Sequence, residues 1–190
     1  MVGQKIDGIK VSNAIKEILK SAIEKLKSEG VVPCLATVLV GDDPASATYV
    51  KNKHNACEKI GIKTKDHKLS ANATQKELDK IIDNLNNDNE VHGILVQLPL
   101  PNQLNEFATI SRISPIKDVD SLTPQNVGLL SMGKSILKPC TPSGIIEMFY
   151  YYKINLEGKN VVMINRSNLI GKPLYHLLLQ NNATVITCHS

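Results

Sequence analysis

Two stretches of this 190-residue chain, 33–40 (PCLATVLV) and 93–98 (GILVQL), read as strands without the regular apolar–polar alternation of a half-exposed sheet. Strands of that kind are buried on both faces, the habit of parallel sheets covered by helices. Parallel neighbours need a crossover, and the segments between the runs have helical spacing. In residues 41–62, Asp43 is placed as an N-cap, Pro44 as the first helical residue and Gly61 as the stop. Residues 74–85 form a second helix with Leu78, Ile81, Ile82 and Leu85 inward, and 64–69 is a more polar strand nearer an edge. Ahead of these, Ser12 or Asn13 caps a helix whose inward stripe is Ile15, Ile18, Leu19, Ala22, Ile23 and Leu26, ended by Gly30. The alternation predicts an α/β fold with a mostly parallel sheet.

Beyond Pro101 the pattern weakens. Residues 104–113 read as a helix, and 114–125 as a loop holding Pro115, Pro124, Asp118 and Asp120. A boundary here divides a domain at 1–120 from a second at 121–190. In the second, 144–152 is helical, and 160–165, the helix after it and 183–190 make one βαβ unit. A doubly wound nucleotide domain has about six strands. The expectation is therefore the first part of a Rossmann-like domain, its strand edges open. A unit of this size buries too little apolar surface to stand alone and must lean on the first domain or another chain.

Composition excludes several classes. Aromatics are 4% with no Trp, too few for a nucleic-acid stacking surface. The net charge of +4 suits an anionic small ligand, although the lysines are spread along helix faces. Cys34, Cys57, Cys140 and Cys188 form no C-x-x-C pair and read as buried free thiols, and the five histidines lack metal-ligand spacing. No metal, nucleic-acid or membrane partner is expected. With neither a membrane-length apolar run nor a leader at the start, the expected location is the cytoplasm.

The chemistry is expected where helix 44–60 meets the strand at 93–98. Tyr49 and Lys53 are four apart on one helix face. That face also carries Ala45, Ala56 and Ile60, so it is expected to point inward, with Lys53 its odd residue. The same spacing is common on ordinary helices whose lysine stems snorkel to water. Gln97 ends its strand before a Pro-Leu-Pro exit, at the carboxyl edge where open parallel sheets bind ligands.

The segments PASATYVKNKHNACEKIGI, LNNDNEVHGILVQLPLP, KDVD and KPCTPSGI occur in an order and at gaps that resemble the bifunctional methylenetetrahydrofolate dehydrogenase/cyclohydrolase family, across nearly the whole chain. The resemblance implies two reactions in one cleft: hydride transfer from methylenetetrahydrofolate to NADP, then hydrolysis of the methenyl product to formyltetrahydrofolate. It implies a folate substrate and a homodimer. It assigns Tyr49 to packing on the folate, Lys53 to the one-carbon centre, Gln97 to a hydrogen bond holding Lys53, Leu98 and Pro99 to the substrate site, and Asp120 to the donor edge of the pterin. A lysine acts as a base only if burial lowers its pKa from about 10.4. Protonated, it stabilises negative charge instead, and both roles stay open. It further implies that the chain stops inside the NADP-binding domain, before a closing PGGVGP segment.

For the cofactor, the resemblance places Thr141 near the nicotinamide, and Asn165, Arg166, Ser167, Ile170 and Ser190 around the nucleotide. The strand–turn–helix context at 165–171 is that of a dinucleotide turn. The second strand ends Cys188-His189-Ser190 with no acid to hold a ribose 2′-hydroxyl, while Arg166 suits a 2′-phosphate. Both arguments point to NADP. Two positions depart from the family glycines: Asn165 opens the turn, and Ser121 follows Asp120. If residue 121 requires positive φ, serine costs about 1 kcal/mol there. The alternatives are a dehydrogenase without cyclohydrolase activity, or a folate-binding relative that has lost catalysis. Asn165 and Ser121 favour the latter, and intact Tyr49, Lys53, Gln97 and Asp120 oppose it.

Overall fold

The computed structural model describes residues 3–190, which form two compact units: 16–119, and 120–190 together with the N-terminal segment to Ile15. Helix α1 (Gly8–Ser28) contributes to both. In the first unit, β1 (Cys34–Val40) is the centre of a three-stranded parallel sheet ordered β2-β1-β3, with β2 (Lys63–Leu69) and β3 (Gly93–Val96) at its sides. Ala36 and Val38 on β1 and Ile94 on β3 have no exposed surface. This is the two-faced burial that their unalternating sequence predicts. β2 is an edge strand, as its polarity implies, and Lys63, Asp66 and Lys68 along it are exposed.

The crossover helices start and stop where the sequence places their signals. α2 (Pro44–Ile60) has Asp43 as N-cap, its carboxylate accepting from Ser46 N–H at 2.7 Å, and Gly61 closes it with φ 86°. Hydrogen bonds from the Ser46 N–H and hydroxyl, with a smaller one from the Ala45 N–H, hold the Asp43 carboxyl below its usual range. α3 (Gln75–Asn87) begins with a capping box between Thr74 and Glu77 and buries Leu78, Ile82 and Leu85. Its C-terminal end is closed by Lys117, whose Nζ donates to the carbonyls of Leu85, Asn86 and Asp88 at 3.1, 2.9 and 2.8 Å. The lysine of KDVD therefore satisfies helix carbonyls that would otherwise lack partners. α4 (Glu106–Arg112) is clamped to α3 by a bidentate Arg112–Asp83 pair at 2.6 Å, which draws the Asp83 carboxyl down.

Three expectations are corrected. α1 turns Val11 and Ile23 into the core, but Ile18 is 71% exposed, and Leu19 and Leu26 also face solvent. Helical spacing identifies an apolar stripe without saying what covers it. Residues 124–131, read partly as loop, form helix α5 (Pro124–Ser131), capped by Thr123 with Pro124 in the first turn. That start signal is the same one that places α2. The cysteines are free, but Cys140 and Cys188 are exposed, and Cys34 alone is buried.

In the second unit, α6 (Cys140–Tyr151) starts four residues earlier than its periodicity suggests, with Pro142 tolerated in the first turn. β4 (Asn160–Ile164), α7 (Gly171–Gln180) and β5 (Thr184–Cys188) form the parallel βαβ unit. The unit leans on α5 and α6: Leu130 and Ile146 from those helices share a core with Met163, Leu174, Leu177 and Leu178.

Ser121 and Gly171 bear on the candidate site, one through its backbone conformation and one through close approach. Ser121 has φ 56°, is fully buried, and its Oγ donates to the Leu137 carbonyl at 3.0 Å. The positive φ anticipated at this position is present, and the hydroxyl offsets part of its cost. Gly171 lies so close to Asn165 that an added Cβ would sit 2.6 Å from the Asn165 carbonyl oxygen. Ser121→Ala keeps the strain and loses the bond, so it should lower unfolding free energy by about 1–2 kcal/mol, whereas Ser121→Gly should be near neutral. Gly171→Ala should cost about 1–3 kcal/mol, because backbone on both sides must separate. Urea denaturation of the three variants checks both statements.

Candidate functional site

In the first unit, Tyr49 and Lys53 lie on α2, and Gln97, Leu98 and Pro99 lie at the carboxyl end of β3. Lys53 Nζ stands 4.5 Å from the centroid of the Tyr49 ring. An ammonium over an aromatic face is worth about 0.5–1 kcal/mol at an exposed site. The pair is together, as spacing predicts, but its face does not point inward. Tyr49 is 51% exposed, Ala45 is exposed and Lys53 half-buried, while α2 buries Ser46 and Val50 instead. The helix uses its small and β-branched residues against the sheet and leaves the Tyr49–Lys53 face open to a ligand.

Gln97 continues β3 by one ladder bond, its N–H donating to the Val38 carbonyl at 2.8 Å. Its side-chain amide donates to the Leu98 carbonyl at 2.8 Å. The expected Gln97–Lys53 hydrogen bond is not formed. Leu98 is half-buried, Pro99 is exposed, and the bond between them is cis. Beside Lys53, the half-buried Cys57 thiol is pushed up by burial, with Lys53 opposing and Asp66 adding to the shift.

Sequence reading left one neighbouring cluster unassigned. His54 lies between Asp66 and Glu58, at 3.0 and 3.3 Å. The residue types were visible, but Asp66 is twelve positions away and only the β2 register brings it there. Asp120 is half-buried and belongs to the second unit, immediately before Ser121.

In the second unit, the turn after β4 is built on Asn165 and Ser167. Asn165 Oδ1 accepts from Ser167 N–H at 2.8 Å, and Ser167 Oγ accepts from the N–H groups of Ile170 and Gly171 at 3.1 and 3.4 Å. Asn165 does not adopt the positive φ that its replacement of a glycine suggests: among the described non-glycine residues, Ser121, Lys153 and Asn182 do. Its side chain folds back as an Asx turn and supplies one of the contacts that fix the loop. Ile170 precedes α7, and Gly171 permits the close helix–strand approach.

Arg166 is exposed on this turn and, with Asn165, lines a cavity of about 270 Å³. Lys172, Tyr175, His176 and Thr187 also line it. Ser190 is exposed, with its carbonyl oxygen 3.1 Å from His189 Nδ1. Thr141 is exposed in the first turn of α6. The donor set fits a nucleotide: a glycine under the turn, a guanidinium on its rim, and no carboxylate among the residues lining the cavity. Sequence reading missed Lys172 and His176, which the one-turn spacing of α7 brings to the same cavity.

Known proteins match the chain across both units. Residues 6–120 match the family described as tetrahydrofolate dehydrogenase/cyclohydrolase, catalytic domain, and residues 139–190 match its NAD(P)-binding domain. The chain is 70% identical over 190 residues to the bifunctional protein FolD of Nitrosopumilus maritimus, covering 100% of this chain and 66% of that protein. It is 60% identical over 185 residues to that of Cenarchaeum symbiosum, covering 97% and 66%. The chain thus spans about two-thirds of the length of these relatives. The solved bifunctional enzyme FolD of Campylobacter jejuni superposes with a TM-score of 0.95 at 48% identity, covering 97% of this chain and 66% of that one. The Trypanosoma brucei enzyme, solved with NADP cofactor and inhibitor, gives 0.92 at 35%, covering 96% and 63%. The chain belongs to the tetrahydrofolate dehydrogenase/cyclohydrolase family.

Proposed function

We propose that this chain carries the residues for two consecutive steps: oxidation of 5,10-methylenetetrahydrofolate by NADP, and hydrolysis of the resulting methenyl compound to 10-formyltetrahydrofolate. The observation that carries the reading is the Tyr49–Lys53 pair, an ammonium 4.5 Å from an aromatic centroid on an open helix face. NADP, when bound, supplies the hydride acceptor. Arg166 faces the 2′-phosphate in this reading, and the exposed Ser167 and Ser190 hydroxyls stand by as donors. Thr141 lies toward the nicotinamide end, and the Asn165-to-Ile170 turn carries the pyrophosphate.

In the hydrolytic step, water adds to the methenyl carbon, which carries the positive charge of the amidinium. The added water gives up one proton to leave a neutral carbinol, and the C–N5 bond then breaks as the carbinol's remaining proton passes to N5, leaving the formyl group on N10 with one proton released overall. Tyr49 supplies the apolar face for the folate. Lys53 stands at the one-carbon centre, where a lysine serves either to move the proton or to stabilise the charge that develops as the tetrahedral centre collapses. The open side of the pair gives water access. Gln97 holds the Leu98 carbonyl and so fixes the exit of β3, which with Leu98 and Pro99 forms the adjoining wall. Asp120 accepts from the pterin N–H edge. Self-association is part of the reading, supported by the uncovered apolar residues of α1, as is a cytoplasmic location, consistent with no described helix being long and apolar enough to cross a membrane.

Lys53→Gln should abolish methenyl hydrolysis, measured as loss of the methenyl absorbance, while folate binding and the melting temperature stay close to wild type. Full hydrolysis in that variant removes Lys53 from the step. Arg166→Ala should weaken NADP by about 10- to 150-fold, the range for losing a charge-assisted contact worth about 1.5–3 kcal/mol, and leave NAD nearly unchanged. Calorimetric titration of both cofactors distinguishes this from a turn-supporting role, which weakens both equally.

A further inference from the structure

The cavity beside the β4–α7 turn holds two permanent cations, and the functional reading above uses one of them. Arg166 and Lys172 both line its volume of about 270 Å³, with His176 and Thr187 among the other walls and no carboxylate. Both cations are exposed, and among the described residues neither belongs to an ion pair. Lys172 and His176 are four apart on α7, which sets them on one face of the helix. Met163 and Thr187, register partners across β4 and β5, stand one pair before the carboxyl ends of these strands and also line the cavity. Thr187 comes about 20 positions after the turn, the distance at which an NAD site carries the acid for its ribose 2′-hydroxyl. The cavity therefore extends to the ribose side of a dinucleotide laid across the turn.

The backbone of α7 has little to offer an anion there. The N–H groups of Ile170 and Gly171 donate to Ser167 Oγ at 3.1 and 3.4 Å, the Lys172 N–H donates to the Ser167 carbonyl at 3.0 Å, and Pro173 has no N–H. The free donors that make a helix start an anion site are thus already used. Binding of an anion in this cavity falls to the side chains. A phosphate monoester carries about 1.5–2 negative charges at neutral pH, and the Arg166 guanidinium neutralises one of them. Thr187 adds a hydroxyl but no charge. Lys172 is the remaining permanent cation on the cavity wall.

We infer that Lys172 is a specificity-determining residue for the cofactor: with Arg166 it holds a phosphate monoester on the ribose 2′-oxygen. The guanidinium acts as a planar fork and the ammonium as a point charge on a flexible stem. The inference rests on the reading of this cavity as the NADP site and adds a residue to it. It divides the preference for NADP over NAD between the turn and the helix, so that neither cation alone sets it. Lys172 touches no reacting atom, and its contribution is to binding.

The test titrates the full 190-residue chain with adenosine 2′,5′-bisphosphate and with adenosine 5′-monophosphate, which differ only in the 2′-phosphate. Calorimetry, or NMR shifts where binding is weak, gives both affinities. The wild type should favour the bisphosphate. Lys172→Gln should lower affinity for the bisphosphate by about 5- to 10-fold, and for the monophosphate by less than about twofold, the pattern of one lost charge contact to the 2′-phosphate. Lys172→Arg keeps the charge and should stay within about threefold of the wild type. A bisphosphate preference that survives Lys172→Gln unchanged would overturn the inference. So would equal weakening of both ligands, which places Lys172 at the 5′-phosphate, or a loss in Lys172→Arg as large as in Lys172→Gln. A preference lost in Arg166→Ala but kept in Lys172→Gln leaves the NADP reading standing and removes Lys172 from it. A wild type that binds neither ligand, or does not distinguish them, refutes the NADP reading and the inference with it.

Discussion

The parallel pairing of β1 with β2 on one side and β3 on the other fixes the rest of the first unit. A strand hydrogen-bonded along both edges and apolar on both faces needs a cover on each face, and each parallel neighbour needs a crossover long enough to be a helix. α2 and α3 meet both needs. The carboxyl ends of the strands are then left for chemistry, and Gln97, Leu98 and Pro99 lie there. Gly93 belongs to the same constraint: a Cβ on it would come within 2.5 Å of Val119 Cγ1, so β3 can lie beside the 117–119 segment because this residue has no side chain. Ile94 N–H donates to the Lys117 carbonyl at 2.7 Å in that contact, and Lys117 in turn closes α3.

Within that frame, α2 resolves a conflict between packing and accessibility. A helix covering a sheet must bury something, yet an aromatic ring and a lysine offered to a ligand must stay in the open. α2 meets the sheet through Ser46 and Val50, and ties its polar flank down through His54 and Asp66. The Tyr49–Lys53 side is thereby free without the helix losing its hold. The βαβ unit solves a similar problem differently: Gly171 lets α7 approach the end of β4, and Asn165 uses its side chain to hold the turn that a glycine would leave to backbone alone.

Much of this was legible in the sequence because it depends on local chemistry. Asp43, Pro44 and Gly61 bound α2 by capping and left-handed φ, which act within a few residues. The unalternating β1 and β3 announce a parallel sheet before any contact is known. The strained backbone at Ser121 was readable from the family pattern. What escaped depends on which distant surfaces meet. The Tyr49 face was read inward because apolar neighbours at helical spacing mark a stripe, whereas the sheet receives the Ser46–Val50 side. The α1 stripe failed for the same reason. His54–Asp66 and the triple capping by Lys117 join residues 12 and about 30 positions apart, and no periodicity encodes such pairs. α5 is different: its Thr-Pro start lies in the sequence, but the prolines and acids around it carry a loop signal of equal strength.

The claim on which the account turns is that the open face of α2 and the carboxyl end of β3 together form the folate surface. Hydrogen exchange of the chain with and without a non-hydrolysable reduced-folate analogue tests it directly. New protection is expected at residues 46–57 and 95–100. A groove of about 460 Å³ elsewhere in the first unit, lined by Ser70, Asn72, Glu77 and Lys80, should be unchanged. Protection centred on that groove with residues 46–57 unaffected would contradict the account.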